Sequence, residues 1–301
     1  MWIVNNRKIF YCISGVLIAA SIIALSVWRL VPSIDFTGGT LIEVSYSGSS
    51  VQPTQTDITT ALSPIDPAVS VRPSGTAGDY IVRMEAVDQS GKTAVMSALS
   101  IRGTASSTIA SFDSVGPTLG LEAVRESFVS VILVILGIII YITWAFRKVS
   151  EPVSSWKYGL VAVISLVHDV IIPMGAFSIF GHLYGYEVDT LFVTALLVVL
   201  GFSVHNTIVV FDRVRENLRH DSGRKPFIEI VGESISQTFT RSMNTSATVV
   251  ISLIVLYILG GSATAHFTLA LIIGIVAGTF SSVFIGSPLL VTFERWQKGK
   301  K

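Results

Sequence analysis

The sequence predicts a polytopic α-helical membrane protein with six transmembrane helices and one α+β, ferredoxin-like extracytoplasmic domain between helices 1 and 2. Three observations predict it. Half of the 301 residues are hydrophobic and only 14% are charged, against about 25% in a typical soluble domain. Mean hydropathy is +0.67. Six apolar runs reach the roughly 20 helical residues that a hydrocarbon core of about 30 Å requires. The remaining composition is exclusionary. Twenty-one Lys+Arg against 20 Asp+Glu leave a net charge of +1, so no global field favours nucleic acid or an acidic substrate. The single cysteine, Cys12, excludes a disulfide scaffold, a Cys-based zinc site and a CxxC redox pair.

The apolar runs fall at 9–28, 128–146, 158–180, 191–211, 242–259 and 267–293. Arg7 and Lys8 precede the first like the n-region of a signal peptide. That run is longer than a 7–15-residue h-region and no A-x-A site follows, so it is expected to stay as a span. The fifth is the weakest, short and polar at its start. Gly274 and Gly278 give the sixth a GxxxG face suited to close helix packing. Basic residues set the orientation: with the N-terminus inside, 15 of the 21 Lys+Arg lie on the inner side, and the short outer connections at 181–190 and 260–266 hold none. Both termini are therefore expected in the cytoplasm. The resulting division is an N-terminus and first span at 1–31, an external domain at 32–126, a five-helix domain at 127–295 and a basic cytoplasmic tail at 296–301.

Within the external segment, 41–46 alternates like a strand and 54–62 reads as a helix behind Pro53. Residues 69–72 and 80–85 read as strands around the turn at Pro73-Ser74-Gly75, 92–101 as a helix ending at Gly103, and 108–112 as a strand. The order βαββαβ is the split-βαβ, ferredoxin-like arrangement, with an antiparallel sheet and both helices on one face.

Ionisable side chains inside spans carry the functional signal, because each costs about 2.5–3.5 kcal/mol at a helix centre on insertion scales. Asp169 lies 11 residues from either end of the third run, near the midplane, and needs a partner, a proton or a wet cavity. Its neighbour His168 is expected on a different face, since adjacent helical residues do not face each other. The fourth run carries Ser203, His205, Asn206 and Thr207. The fifth carries Arg241, Asn244, Thr245, Thr248 and Ser252, whose spacing draws one polar stripe. Arg241 can reach the inner surface or turn toward Asn206. The bland alternative for all of these is interhelical hydrogen bonding, worth about 0.6 kcal/mol apiece. No HExxH, GxSxG or P-loop is present, so no catalytic residue, metal ligand or cofactor is expected. Arg213, Arg215, Arg219, Arg224 and Lys225 form a basic inner loop beside membrane lipid.

Several strings match a known family in order along the chain. Ile34-Asp35-Phe36-Thr37-Gly38-Gly39-Thr40 resembles its IDFTGGT signature, and Gly116-Pro117-Thr118-Leu119-Gly120 its GPxxG element. Val167-His168-Asp169-Val170, the fourth-span stretch from Gly201 through Asp212-Arg213-Val214-Arg215-Glu216-Asn217, Gln237-Thr238-Phe239-Thr240-Arg241 and Gly278-Thr279-Phe280-Ser281-Ser282 match as well. Together they resemble the SecF family of protein-export membrane proteins. The resemblance implies an accessory subunit of the Sec translocase. Such a subunit pairs with a SecD-like partner, acts beside the SecYEG channel and the SecA motor, touches unfolded preprotein, and uses the proton motive force. One position departs: where the family has Gly-Tyr-Ser-x-Asn-Asp-Thr, this chain has Asn206 at the acid, and an amide cannot titrate. Three accounts stay open. A carboxylate of the SecD-like partner carries the proton; His205 or Asp169 carries it here; or this subunit has lost coupling. Two readings from other classes compete, a homo-oligomeric small-molecule exporter of the resistance–nodulation–division superfamily and a purely structural scaffold.

Overall fold

A one-turn helix, α1 (Trp2–Asn5), and a 21-residue apolar helix, α2 (Arg7–Val27), begin the chain. The computed structural model describes residues 2–46, 52–74, 78–101, 107–147, 154–221 and 224–298. Two units separate: Met1–Val31 with Val129–Lys301, and Pro32–Phe128. The expected helix end at Gly103, the basic residue Lys148 and the last three residues of the tail lie outside the described residues.

The second unit runs α3 (Ile34–Thr37), β1 (Gly39–Tyr46), α4 (Gln55–Leu62), β2 (Ser70–Pro73), β3 (Asp79–Met84), α5 (Gln89–Leu99) and β4 (Ser107–Val115). The sheet order β2-β3-β1-β4 is antiparallel at every joint, the ferredoxin-like order. Local chemistry sets the boundaries. Thr54 and Asp57 form a reciprocal capping box at the start of α4, and the Asp88 side chain accepts from Gly91 N at 2.8 Å. That cap starts α5 three residues ahead of the apolar pattern that announced it. Alternation along β1 turns Ile42, Val44 and Tyr46 toward Ile58, Leu62, Val95 and Leu99 of the two helices, so both helices cover one face.

The two glycine-bearing motifs meet inside this unit. Gly38 has φ +73°, and a Cβ on it would lie 2.8 Å from Pro117 Cα; one on Gly120 would lie 2.9 Å from Phe36 O. Backbone therefore packs on backbone, which only glycine permits at these positions.

Tyr46 closes the core with its hydroxyl donating to Leu99 O at 2.8 Å. Burial pushes its phenol from 10.0 up to about 12. The folded state thus holds this proton more tightly than the unfolded chain. Its stabilisation is complete below pH 10 and is lost as pH rises toward the folded value. Hydrogen exchange of the β1 amides should show protection falling across that window in the wild type, with a shallower fall in Tyr46→Phe.

The first unit continues with α6 (Pro117–Ala145), which starts in the second unit, then α7 (Ser155–Tyr184), α8 (Thr190–Asp221) and α9 (Phe227–Leu259). Next, α10 (Ser262–Phe280) passes through a π-helical segment (Ser281–Gly286) into α11 (Ser287–Lys298). Among the described residues six helices are long and apolar enough to cross a membrane, α10 to α11 counting as one. They extend beyond the apolar runs because hydropathy registers only the lipid-facing length. On α9, Phe227, Val231 and Ile235 bury ahead of the run and pack with Val210, Phe211 and Val214 of α8. Glycine sets the closest approaches: a Cβ on Gly175 of α7 would overlap Ser21 of α2, and one on Gly274 of α10 would overlap Val199 of α8.

Two prolines mark where helices depart from regular bonding. Pro173 lies within α7 and has no N–H to offer the Asp169 carbonyl four residues earlier. Pro288 follows the π-helical segment and denies a donor to Phe284 in the same way. A missing N–H and a ring pressed on the preceding turn are ordinary causes of such widening.

Candidate functional site

Asp169 sits near the middle of the 30-residue α7 and is fully buried. Its Oδ1 lies 2.8 Å from His168 Nδ1. Its Oδ2 accepts from Ser203 Oγ of α8 and, at 2.9 Å, from Ser281 Oγ of the π-helical segment. Gly278 makes this convergence possible: a Cβ there would stand 3.1 Å from Ser203 Cβ and 3.5 Å from Asp169 Oδ2. Three helices thus meet at one carboxylate, with one partner on Oδ1 and two on Oδ2.

Hydroxyls extend the cluster. Ser282 Oγ donates to Gly278 O at 2.8 Å and shares a 2.9 Å contact with Thr207 Oγ1, while Ser287 Oγ donates to Ser282 O at 3.0 Å. Thr279 Oγ1 reaches Ser246 Oγ of α9 at 2.7 Å. An isolated ionised carboxylate in hydrocarbon is prohibitively costly; two serine hydroxyls and an adjacent imidazole keep this one paired inside the bundle.

The expected separation of His168 from Asp169 is corrected here. Adjacent Cβ atoms do diverge by about 100° around a helix, but imidazole and carboxymethyl groups are long enough to fold back across that angle. The His168 ring also lies near Phe280, with centroids 6.3 Å apart, which holds it beside the carboxylate.

The other sequence-derived residues divide between faces. Asn206 is buried, with an amide nitrogen that has no hydrogen-bond partner among the described residues. His205, Arg241 and Asn244 are exposed on the single chain. Thr245 Oγ1 donates to Arg241 O at 2.9 Å, and Thr248 and Ser252 likewise bond back to their own helix. The polar stripe of α9 therefore exists as a face but looks outward; the face turned into the bundle is Thr238, Ser242 and Ser246.

Toward the ends of α8 and α9, Arg213 donates through Nε to Gln237 Oε1 at 2.6 Å and through a terminal nitrogen to Glu216 Oε2 at 2.5 Å. Arg215 pairs with Asp212 at 3.7 Å. Asp212, Arg213, Glu216, Gln237 and Arg241 line an open groove of about 440 Å³. Beyond it, Glu233 at 2.8 Å raises the Lys225 ammonium above its ordinary value. Asp35 and Phe36 lie in α3, and Gly38, Gly39, Gly116 and Pro117 in or beside the glycine contact described above. Among the described residues no group of three or more His, Cys, Asp or Glu could hold a metal ion.

Sequence reasoning passed over Ser281 and Ser282 as ligands of the cluster. The available signal was a run of small hydroxyl residues (Thr279, Ser281, Ser282, Ser287) in an otherwise apolar span, ending at Pro288.

The fold and site define a multi-pass helical membrane protein with a small α+β unit and a carboxylate held at the centre of its bundle. The family described as Protein export membrane protein SecD/SecF, C-terminal, matches residues 96–296, and the SecD/SecF GG motif matches residues 29–49. The protein translocase subunit SecF of Thermobaculum terrenum is 40% identical over 97% of this chain and 93% of its own length. That of Anaerolinea thermophila is 36% identical over 97% and 94%. The crystal structure of SecDF, a translocon-associated membrane protein from Thermus thermophilus, superposes with a TM-score of 0.80 at 26% identity, covering 98% of this chain. A super-membrane-facing form of SecDF gives 0.67 at 27% identity. This chain spans 38% of the first SecDF chain. The chain belongs to the SecF family of protein translocase subunits.

Proposed function

We propose that this chain works with a SecD-like partner to promote export of unfolded preprotein across the cytoplasmic membrane, beside the SecYEG channel and the SecA motor, and that proton motive force drives it. The observation that carries the reading is the nearly full-length likeness to SecF translocase subunits, together with a SecDF chain of which this one matches only part. The uncovered part leaves room for a second half. The outward stripe of α9 supports the same partner: Arg241, Asn244, Thr248 and Ser252 face away from the bundle, and a neighbouring subunit would take that polar face out of contact with lipid. Both termini lie inside and the α+β unit outside, on the distribution of Lys and Arg.

Coupling then falls to Asp169, the carboxylate buried at mid-helix, with Asn206 shaping the surroundings rather than titrating. One charge crossing 100 mV supplies about 2.3 kcal/mol, whereas reversing a 1:99 equilibrium takes about 5.5 kcal/mol. More than two protons per cycle follow at that voltage, or a second site in the partner half. Purification after gentle extraction should yield a hetero-complex with a second multi-span subunit. In vesicles that complex should move protons while preprotein is being exported. A stable homodimer without such a partner would instead favour the small-molecule exporter.

A further inference from the structure

We infer that His168 is a proton relay that connects Asp169 to the inner end of α7 through the chain's own bundle, away from the exposed face that carries His205 and Arg241. The inference rests on the proton-coupled reading above and names the path by which that coupling reaches the inner side.

The imidazole is almost wholly buried. Its Nδ1 contacts Asp169 Oδ1 at 2.8 Å, and its Nε2 is buried with no hydrogen-bond partner among the described residues. A histidine present only to hold the carboxylate would be expected to have its second nitrogen bonded too, because native structures rarely leave such groups unpaired. One turn toward the start of α7 is Ser165, buried, with an unpartnered Oγ, and seven residues further is Tyr158, buried, with an unpartnered hydroxyl. Spacings of three and seven place all three on one face of the helix. Side chains lean toward a helix N-terminus, which for α7 is the inner end, so the three lead inward from Asp169. Gly286 keeps the π-helical segment from filling this line: a Cβ there would lie 2.9 Å from Ser165 Oγ. Asn206 Nδ2 on α8 and Ser242 Oγ on α9 are also unpartnered, but neither is in hydrogen-bond contact with an acid or base.

The step balances. A proton arriving from the inner side bonds to Nε2 and makes the imidazolium. The Nδ1 proton then passes to Asp169 Oδ1, leaving a neutral acid and a neutral imidazole protonated on Nε2. The positive charge that entered cancels the carboxylate's negative charge. After Asp169 discharges outward, rotation of the ring about Cα–Cβ and Cβ–Cγ turns the Nε2 proton toward the carboxylate and leaves Nδ1 to accept the next proton, with none gained or lost in the reset. Transfer by a positioned histidine is the commonest form of such chemistry and is worth roughly 10²–10⁴-fold in rate.

The test is export-coupled proton flux in vesicles holding the chain with its SecD-like partner. His168→Gln retains an N–H for Asp169 Oδ1 and so keeps the pair packed, but it cannot accept and pass a proton. It should lower flux about tenfold or more in an intact complex. In His168→Ala, added imidazole should restore part of the flux, and it should restore none in Asp169→Asn. Wild-type flux in His168→Gln would overturn the relay. So would a low flux in His168→Ala that imidazole leaves unchanged, since that assigns the ring a holding role. Wild-type flux in Asp169→Asn would instead overturn the coupling reading on which the relay stands.

Discussion

Asp169→Asn is expected to leave the helix bundle assembled while removing export-coupled proton flux. The amide oxygen can take the place of Oδ2 and accept from Ser203 and Ser281. The amide NH2 then faces His168 Nδ1, which can accept once the imidazole carries its proton on Nε2. Every contact of the carboxylate is thereby replaced, and the stability change should stay within about 1 kcal/mol. What is lost is the ability to titrate, so flux should fall by about two orders of magnitude or more. Asp169→Leu separates structure from chemistry. It strips the acceptor from two hydroxyls and the imidazole, although Ser281 can still turn to Gly278 O at 3.1 Å. A destabilisation of about 2–3 kcal/mol follows from leaving buried donors unpaired. Thermal unfolding of the purified complex and vesicle proton flux measure the two effects. An Asn variant as unstable as the Leu variant would make the carboxylate a fastener; an Asn variant with full flux would move the coupling to another group.

The legible part of this fold was the part that hydrophobic contrast encodes. Six spans, their order and the βαββαβ pattern all follow from apolar runs or alternation, and Asp169 stood out because an acid in an apolar run has no cheap explanation. The illegible part depends on contact. Spacing puts Arg241 to Ser252 of α9 on one face, but periodicity says which residues share a face and not what that face meets. Ser242 and Ser246, one position away from members of the stripe, are the ones turned inward. The His168–Asp169 contact escaped a rule built on Cβ directions because it is made at the ends of two side chains. The π-helical segment escaped because Pro288 predicts a disturbance without predicting that Ser281 would be delivered to the carboxylate on α7. Starts such as Phe227 on α9 lie outside the apolar run because packing on α8, not lipid, holds them.

Gly175→Leu should produce the largest structural loss available from a single apolar substitution in the bundle, detaching α2 from α7. A Cβ on Gly175 would overlap the Cβ, Oγ and, above all, the backbone Cα of Ser21. A flexible side chain can swing aside, but a backbone atom moves only with its helix. The strain cannot be absorbed locally, because the C-terminal end of α2 is tied down: Ser178 Oγ donates to Ala24 O at 2.9 Å and to Arg29 O at 2.7 Å. Trp28 also stacks on His182 with centroids 4.9 Å apart, and Val188 N donates to Val31 O at 2.8 Å. Opening α2 from α7 breaks these ties together. Overpacking alone costs about 1–3 kcal/mol, and with the ties included the loss should exceed the upper end of that range. Helix propensity gives the control its sign. Leucine is favoured over glycine in a helix by about 0.8–1 kcal/mol, so where space is open the same substitution should be neutral or stabilising. Gly137 of α6 and Gly15 of α2 have nothing within 4 Å of such a Cβ. Thermal melts of the three leucine variants should therefore split, with Gly175→Leu well below wild type and the other two at or above it. A Gly175→Leu protein melting with the wild type would mean that α2 does not lie against α7 at Ser21. The same set read by Trp28 fluorescence should show that residue losing its stacked environment in Gly175→Leu alone.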